Sequence, residues 1–285
     1  MHRNAPAFAC NTYAYTISHP AADCLSHLAD FGFSEFELMM YPGHLWPPDT
    51  NAADRKALRR VIESRGLSVA TLNMPNIDMN IVGAASEMRL YTLGLLRQIV
   101  ELAGDLEVPG IVVGPGKANP LFSAPRDRLM GYFYSALDEL CPLAQKAGTA
   151  LWLENMPFGF IADIDGLMVA LDDYGNDDIG IVFDAANSHF IGEDLAEALR
   201  RCSRRLKLVH LSDTNRQIYK HDPVGEGTVP FEELPAALAA VGYKRLPMLE
   251  IISQDADRDI LSSTDKLAEM GFGRIDESGN SGRAF

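Results

Sequence analysis

The chain has 285 residues, with 25 basic and 39 acidic side chains and a formal net charge of −14 at pH 7. A surface this acidic repels phosphate backbones, so nucleic acid is not an expected partner. Four scattered cysteines without a Cys-x-x-Cys pair argue against a disulfide framework and a thiolate zinc site. No secretory signal is visible and no apolar stretch reaches the roughly 18 residues of a membrane span, so a cytoplasmic protein is expected.

Short apolar runs alternate with amphipathic stretches along the chain, which predicts alternating strands and helices. The predicted strands are 7–11, 33–40, 67–73, 110–113, 149–154, 179–184, 206–211 and 246–251. The predicted helices are 21–31, 51–65, 86–106, 125–147, 164–174, 194–202, 231–241 and 258–270. Pro142 predicts a kink or a break in the fourth helix, because proline lacks the N–H that a helix interior needs.

Eight strands, each followed by a helix, favour a parallel sheet that closes on itself. The fold class is therefore predicted to be α/β, a (β/α)8 TIM barrel that forms a single domain over residues 1–285. The Gly- and Ser-rich residues 271–285 read as a loose tail. An open doubly wound sheet is the rival, but no Gly-x-Gly-x-x-Gly follows the first strand.

Four strands of the second half end in groups that bind metals. In a barrel of this kind, functional side chains lie at the carboxyl ends of the strands. The groups are Glu154, Asp184, His210 and Glu250. Each continues the apolar face of its strand at period two, and a lone carboxylate buried there would be costly. A single such acid is usually a salt bridge or a helix cap, but four in successive strands predict one shared cation.

Three carboxylates and one imidazole make a hard, mostly oxygen donor set. This composition favours Mn²⁺ or Mg²⁺, and it also accepts Co²⁺, Fe²⁺ or Zn²⁺.

Several short segments resemble the xylose-isomerase-like TIM barrel superfamily, which contains sugar isomerases and epimerases and apurinic-site endonucleases of the family 2 type. The segments are Leu153-Glu154-Asn155, Val182-Phe183-Asp184, 209–213 with Gly225-Glu226-Gly227 behind it, and Leu249-Glu250-Ile251. The resemblance covers nearly the whole chain. The ordered set is specific to the superfamily but not to one enzyme.

The resemblance implies that Glu154, Asp184, His210 and Glu250 hold one divalent metal. It further implies an isomerase or epimerase of a small ketose or keto-polyol. Proton transfer would run through a metal-bound cis-enediolate, with the two glutamates as acid and base on opposite faces of the sugar.

Other residues are candidates for substrate contact. Arg216 matches the superfamily's arginine after the histidine strand. The superfamily's usual histidine lies three residues after the aspartate, and that position is Asn187 in this chain. His189 lies five residues after Asp184. His221 is a candidate second ligand, substrate contact or solvated loop histidine.

Two further groups belong to the other half of the predicted barrel. Glu37 and His44 would close the pocket from there, or be satisfied structural groups, and Lys117 in its Gly-rich turn is a weaker candidate. Asp213 is expected to brace the His210 imidazole, and Asn155 to support the ligands.

Departures from the superfamily narrow the function. The endonucleases use extra histidines at the ends of strands three and four, and this chain has Asn73 and Gly114 at those positions. They also use an acidic residue at the position of Tyr219 in this chain. A one-metal site is therefore expected, and DNA cleavage is not. The second glutamate of the ketose 3-epimerases is Phe160 here, which leaves the hydroxyl pattern of the substrate open.

Two alternatives stay open beside the isomerase or epimerase. One is a lyase that dehydrates an inosose-like keto-cyclitol on the same scaffold. The other is a non-catalytic sugar-binding barrel. Barrels of this kind often pair, so a homodimer or a homotetramer is also open, with a small sugar or keto-polyol as the expected partner.

Overall fold

The computed structural model describes residues 6–74 and 78–273, and it confirms the predicted barrel. Eight parallel strands pair in chain order, and the first also pairs with the last, which closes the barrel. The strands are β1 Ala9–Asn11, β2 Glu35–Met39, β3 Ser68–Asn73, β4 Gly110–Val113, β5 Ala150–Glu154, β6 Gly180–Asp184, β7 Leu206–Leu211 and β8 Met248–Leu249.

Nine α-helices occur in the described residues. They are α1 Ala21–Asp30, α2 Ala52–Ser64, α3 Ser86–Leu106, α4 Arg126–Ala147, α5 Ile164–Tyr174, α6 Ala185–Ile191, α7 Leu195–Cys202, α8 Leu234–Ala240 and α9 Ala256–Glu269. Short 3₁₀ turns occur at Tyr13–Tyr15, Pro47–Asp49 and Phe231–Glu233. None of these helices combines the length and apolar character that a membrane-spanning helix needs.

Three elements differ from the sequence prediction. A short helix, α6, starts directly after β6, because the Asp184 side chain accepts a hydrogen bond from the Asn187 amide and caps it. The helix α4 runs unbroken through Pro142, so of the predicted kink or break the break is wrong and the kink stays a prediction. Packing of its buried face, which includes Phe133 and Leu140, outweighs a local proline cost of about 3 kcal/mol. The last strand is only two residues long, and residues 274–285 of the predicted tail lie outside the described part.

A small apolar core fills the inside of the barrel, separate from the larger core between strands and helices. Its members are Ala9, Ala70, Val112, Trp152, Val182, Leu208 and Met248. Two glycines make room for the indole, since a Cβ on Gly110 or Gly180 would lie 2.6 Å or 2.8 Å from Trp152. Because side chains at i and i+2 share a face, the next layer at the carboxyl ends of β5 to β8 is formed by residues two positions after the core members of those strands.

Candidate metal centre

The four predicted ligands meet at the carboxyl end of the barrel. One donor atom from each lies within 4.8 Å of all the others, in a group that could hold one metal ion: Glu154, Asp184, His210 and Glu250. We call this group the ligand cluster. Each member stands two positions after a residue of the inner core, and each is buried, with at most 6% of its surface exposed.

Two carboxylate oxygens of the ligand cluster are buried without a hydrogen bond. They are Asp184 Oδ2 and Glu250 Oε2. The His210 Nδ1 atom lies 3.1 Å from Glu250 Oε2 and 3.8 Å from Asp184 Oδ2, and it also faces Glu154 Oε1 at 3.2 Å. One imidazole N–H satisfies at most one of these acceptors. The surplus of buried acceptor oxygens around one nitrogen fits a divalent cation.

The electrostatics of the ligand cluster lead to the same conclusion. Burial, together with the neighbouring Glu250 and Glu154 carboxylates, raises the pKa of Asp184 well above its usual range. Burial also raises the pKa of Glu154. Burial alone would lower the pKa of His210, but the surrounding carboxylates, Glu37 first, hold it well above the usual value. These groups therefore retain protons that a divalent cation would displace.

Glu37 orients the imidazole from the opposite side. Its carboxylate oxygens lie 3.2 Å and 3.3 Å from His210 Nε2. The Glu37 carboxylate also accepts from the Thr71 hydroxyl at 2.6 Å and from the Asn73 amide at 3.0 Å. Burial raises the pKa of Glu37, but the charge and hydrogen bond of His210 outweigh it and lower this pKa. An Nε2–H held by Glu37 leaves the Nδ1 lone pair facing the ligand cluster.

This arrangement bears on two sequence-based predictions. Glu37 contacts His210 and is not among the described residues that line the cavity, which favours the structural alternative, and its substrate contact stays a prediction. The expected brace, Asp213, instead accepts hydrogen bonds from the backbone amides of Thr214, Gly225 and Val229. It fixes the loop after β7, because its side chain turns toward those amides.

Asn155 connects two members of the ligand cluster through the backbone. Its Oδ1 accepts from the Asp184 amide at 2.8 Å, and its Nδ2 donates to the Asp184 carbonyl at 3.1 Å. The side chain thus ties the end of β5 to the end of β6.

Three predicted substrate contacts lie away from the cavity. The His189 ring shares a hydrogen bond with Thr228 Oγ1, and the His44 ring bonds the His19 carbonyl and the Thr12 hydroxyl. Arg216 is exposed. None of the three is among the described residues that line the cavity.

The local backbone explains two of these displacements. On α6, His189 lies about 200° around the axis from Asn187, and Asn187 faces the cavity. Arg216 follows Asn215, whose side chain accepts from the amides of Gln217 and Ile218 in a tight turn at the surface.

His221 lies beside the ligand cluster and lines the cavity. The Tyr219 hydroxyl donates to Asn187 Oδ1 at 2.7 Å, so the His221 Nε2–H donates to the tyrosine oxygen at 2.8 Å. The other ring nitrogen, Nδ1, then accepts from the Ser212 hydroxyl at 2.8 Å and lies 3.5 Å from Glu250 Oε2. Burial lowers the pKa of His221, which favours this neutral form.

A cavity of about 700 Å³ opens over the ligand cluster. The polar part of its lining includes Glu154, Glu250, Asn187, Tyr219 and His221. The apolar part, which we call the methionine wall, consists of Met39, Met74, Met79, Ile81, Met156 and Phe158. Lys117 also lines the cavity.

The sequence interpretation missed the methionine wall and the hydrogen bonds of Tyr219. A signal for part of the wall was present, since Met39 shares the inward face of β2 with Glu37. The other wall residues lie outside the strands, where period-two spacing predicts nothing.

Known proteins resemble this chain over most of its length. It is 22% identical over 250 residues to L-ribulose-5-phosphate 3-epimerase UlaE of Salmonella paratyphi A, covering 85% of this chain and 87% of that protein. The crystal structure of a D-tagatose 3-epimerase-like protein superposes with a TM-score of 0.79 at 22% identity, over 92% of this chain and 96% of that one. The IolI protein, solved with a zinc atom, superposes with a TM-score of 0.75 at 16% identity, over 92% and 98% of the two chains.

A family model described as xylose isomerase-like TIM barrel matches residues 25–270. The match extends from α1 to the end of α9 and includes the whole ligand cluster. The chain therefore belongs to the xylose isomerase-like TIM barrel family.

Proposed function

We propose that this protein is a metal-dependent isomerase or epimerase of a small ketose or keto-polyol. The observation that carries the proposal is the ligand cluster with its two unsatisfied carboxylate oxygens, at the floor of a cavity that admits a sugar. The similarity to L-ribulose-5-phosphate 3-epimerase supports the same class of reaction.

The ligand cluster suits one divalent ion. Its oxygen-rich donors favour Mn²⁺ or Mg²⁺ and also accept Co²⁺, Fe²⁺ or Zn²⁺. When bound, the ion supplies Lewis acidity, which polarises a carbonyl and acidifies the C–H beside it.

Glu154 and Glu250 are the proposed acid and base. They come from the ends of β5 and β8, with β6 and β7 between them, so they approach the cavity from different directions. One carboxylate removes the proton from the carbon beside the carbonyl, and the other returns a proton to the substrate. A carboxylate suits this role because its surroundings can tune its pKa toward the working pH. The Asn11 amide donates to Glu250 Oε1 at 3.3 Å and holds that side chain in place.

Two groups position the substrate in this proposal. The Tyr219 hydroxyl and the His221 ring line the cavity, and hydrogen bonds to Asn187 and Ser212 hold them in one orientation. Fixed polar groups of this kind bind sugar hydroxyls without first having to be ordered.

The test is solvent deuterium exchange. The protein is incubated in deuterated water with Mn²⁺ and a panel of ketoses, and the carbon beside the carbonyl is followed by NMR. We expect one ketose to incorporate deuterium at that carbon and to change configuration there or to yield an aldose. Absence of exchange and turnover across the panel, in protein shown to bind metal, contradicts the proposal. An absorbing diketone as product would assign the protein as a dehydratase instead.

A further inference from the structure

The cavity is larger than a simple ketose requires. At the share of liquid volume that one water takes, about 30 Å³, 700 Å³ corresponds to roughly 23 water-sized groups. This is about twice the number of non-hydrogen atoms in a hexulose. A sugar bound at the ligand cluster therefore leaves a substantial part of the cavity for another group.

The methionine wall forms most of the apolar lining of the cavity. Met39, Met74, Met79 and Ile81 are at most 6% exposed, so each is packed against the protein and presents a small apolar surface. Sugar hydroxyls placed against them would give up water without gaining partners. The nearby Asn73 also lines the cavity, but its amide already donates to Glu37. Thioether side chains fill irregular apolar space and adapt to the shape of an apolar group.

The charges at the cavity do not favour a phosphate. Lys220 lines the cavity but pairs with Asp222 at 3.3 Å. Burial lowers the pKa of Lys117, and Asp78 acts against this shift. No arginine is among the described residues that line the cavity, although arginine is the usual bidentate partner of phosphate.

We propose that the substrate is a keto sugar that carries an apolar alkyl or aryl aglycone, with the aglycone packed against the methionine wall. That the substrate contains a keto sugar rests on the proposed function. That it carries an apolar aglycone rests on the size and lining of the cavity.

The experiment measures binding by calorimetry rather than turnover. The probes are the phenyl and the methyl 3-keto-β-D-glucosides, which differ only in the aglycone, together with a ketose phosphate. With Mn²⁺-loaded protein we expect the phenyl glycoside to bind about tenfold more tightly or better, because its ring is removed from water. Met79→Gln should reduce this preference to less than about threefold, and Met79→Leu should keep it.

Met130→Gln is the matched control, since Met130 is half-buried on α4 and does not line the cavity. If Met79→Gln fails to fold by thermal melting, the half-exposed Met156 is replaced by glutamine in its place. Four outcomes would each overturn the inference. They are equal affinity for the two glycosides, binding of neither, a preference that the wall variants leave unchanged, and tighter binding of the ketose phosphate. A phenyl preference without deuterium exchange in either the ketoses or the two keto-glucosides would contradict the proposed function alone. Exchange without a phenyl preference would contradict this inference alone.

Discussion

The polar and the apolar groups at the carboxyl end of the barrel differ in what holds them. Among the polar groups, His210 is held between Glu37 and the carboxylates, and His221 between Ser212 and Tyr219. The methionine wall is held mainly by packing, since Met39, Met74, Met79 and Ile81 are at most 6% exposed, and the Met39 sulfur also accepts from the Asn11 amide at 3.4 Å. Reaction chemistry requires fixed donor atoms, whereas apolar recognition tolerates variation in shape. One barrel end thus combines polar groups that hydrogen bonds hold with apolar groups that packing holds.

The largest effect should come from the proposed acid and base. Replacing Glu154 or Glu250 by glutamine removes a proton carrier and a charged ligand, and we expect exchange to fall by about 10² to 10⁴-fold. Deuterium incorporation by NMR measures this. Glu35→Gln on β2 is the control, because Glu35 pairs with Arg245 outside the cavity. Near-normal exchange in either variant would remove that glutamate from the mechanism.

The second prediction tests whether Glu37 orients His210. Glu37→Gln replaces the carboxylate beside His210 by a neutral amide, so metal affinity should fall by about 10 to 100-fold. Calorimetric titration with Mn²⁺ measures the change, and Glu35→Gln on the same strand should bind like the wild type. If the two variants bound Mn²⁺ equally well, the orienting role of Glu37 would be wrong.

The third prediction concerns pH in the metal-free protein. A carboxyl whose folded pKa is raised stabilises the fold below its unfolded pKa, and this stability is lost as pH rises through the folded pKa. Asp184 is such a group, with its pKa raised well above a reference of 3.8. Asp184→Asn should therefore gain stability over the wild type as pH rises above about 4, by at most about 1.4 kcal/mol per pH unit. Urea unfolding with a chelator present checks this, and a difference independent of pH would refute the assigned cause.

The smallest effect should come from Tyr219→Phe. This variant removes one hydroxyl from the network of His221 and Asn187, a loss of about 0.5–1.5 kcal/mol, or roughly two- to thirteenfold. We expect the loss in KM for the ketose, with Mn²⁺ affinity unchanged. A change in Mn²⁺ affinity as large as that of Glu37→Gln would instead place Tyr219 in the support of the ligand cluster.

The barrel and the ligand cluster were predictable because they follow from strand periodicity. Glu154 and Asp184 continue the inward faces of their strands, and parallel strands bring such ends together. The sequence prediction lacks α6, although Asp184 is a good cap residue, and without this helix the direction of the His189 side chain stays open.

The roles of Glu37, Arg216 and Asp213 were not predictable from spacing. Glu37 reaches His210 across the barrel, and that distance depends on closure of the sheet. The positions of the Arg216 and Asp213 side chains depend on the course of the loop after β7, which side-chain to backbone hydrogen bonds fix. The methionine wall, apart from Met39 on β2, is likewise assembled from the loops after β3 and β5.

The central claim is that the ligand cluster binds one divalent cation, and calorimetric titration of Mn²⁺ into chelator-treated protein tests it most directly. We predict one Mn²⁺ per chain in the wild type, with release of protons because buried groups with raised pKa must give them up. Asp184→Asn, which keeps a side-chain oxygen to cap α6 but lacks the charge, should lose this binding. Wild-type protein that binds no Mn²⁺, or a variant that binds it equally well, would contradict the account.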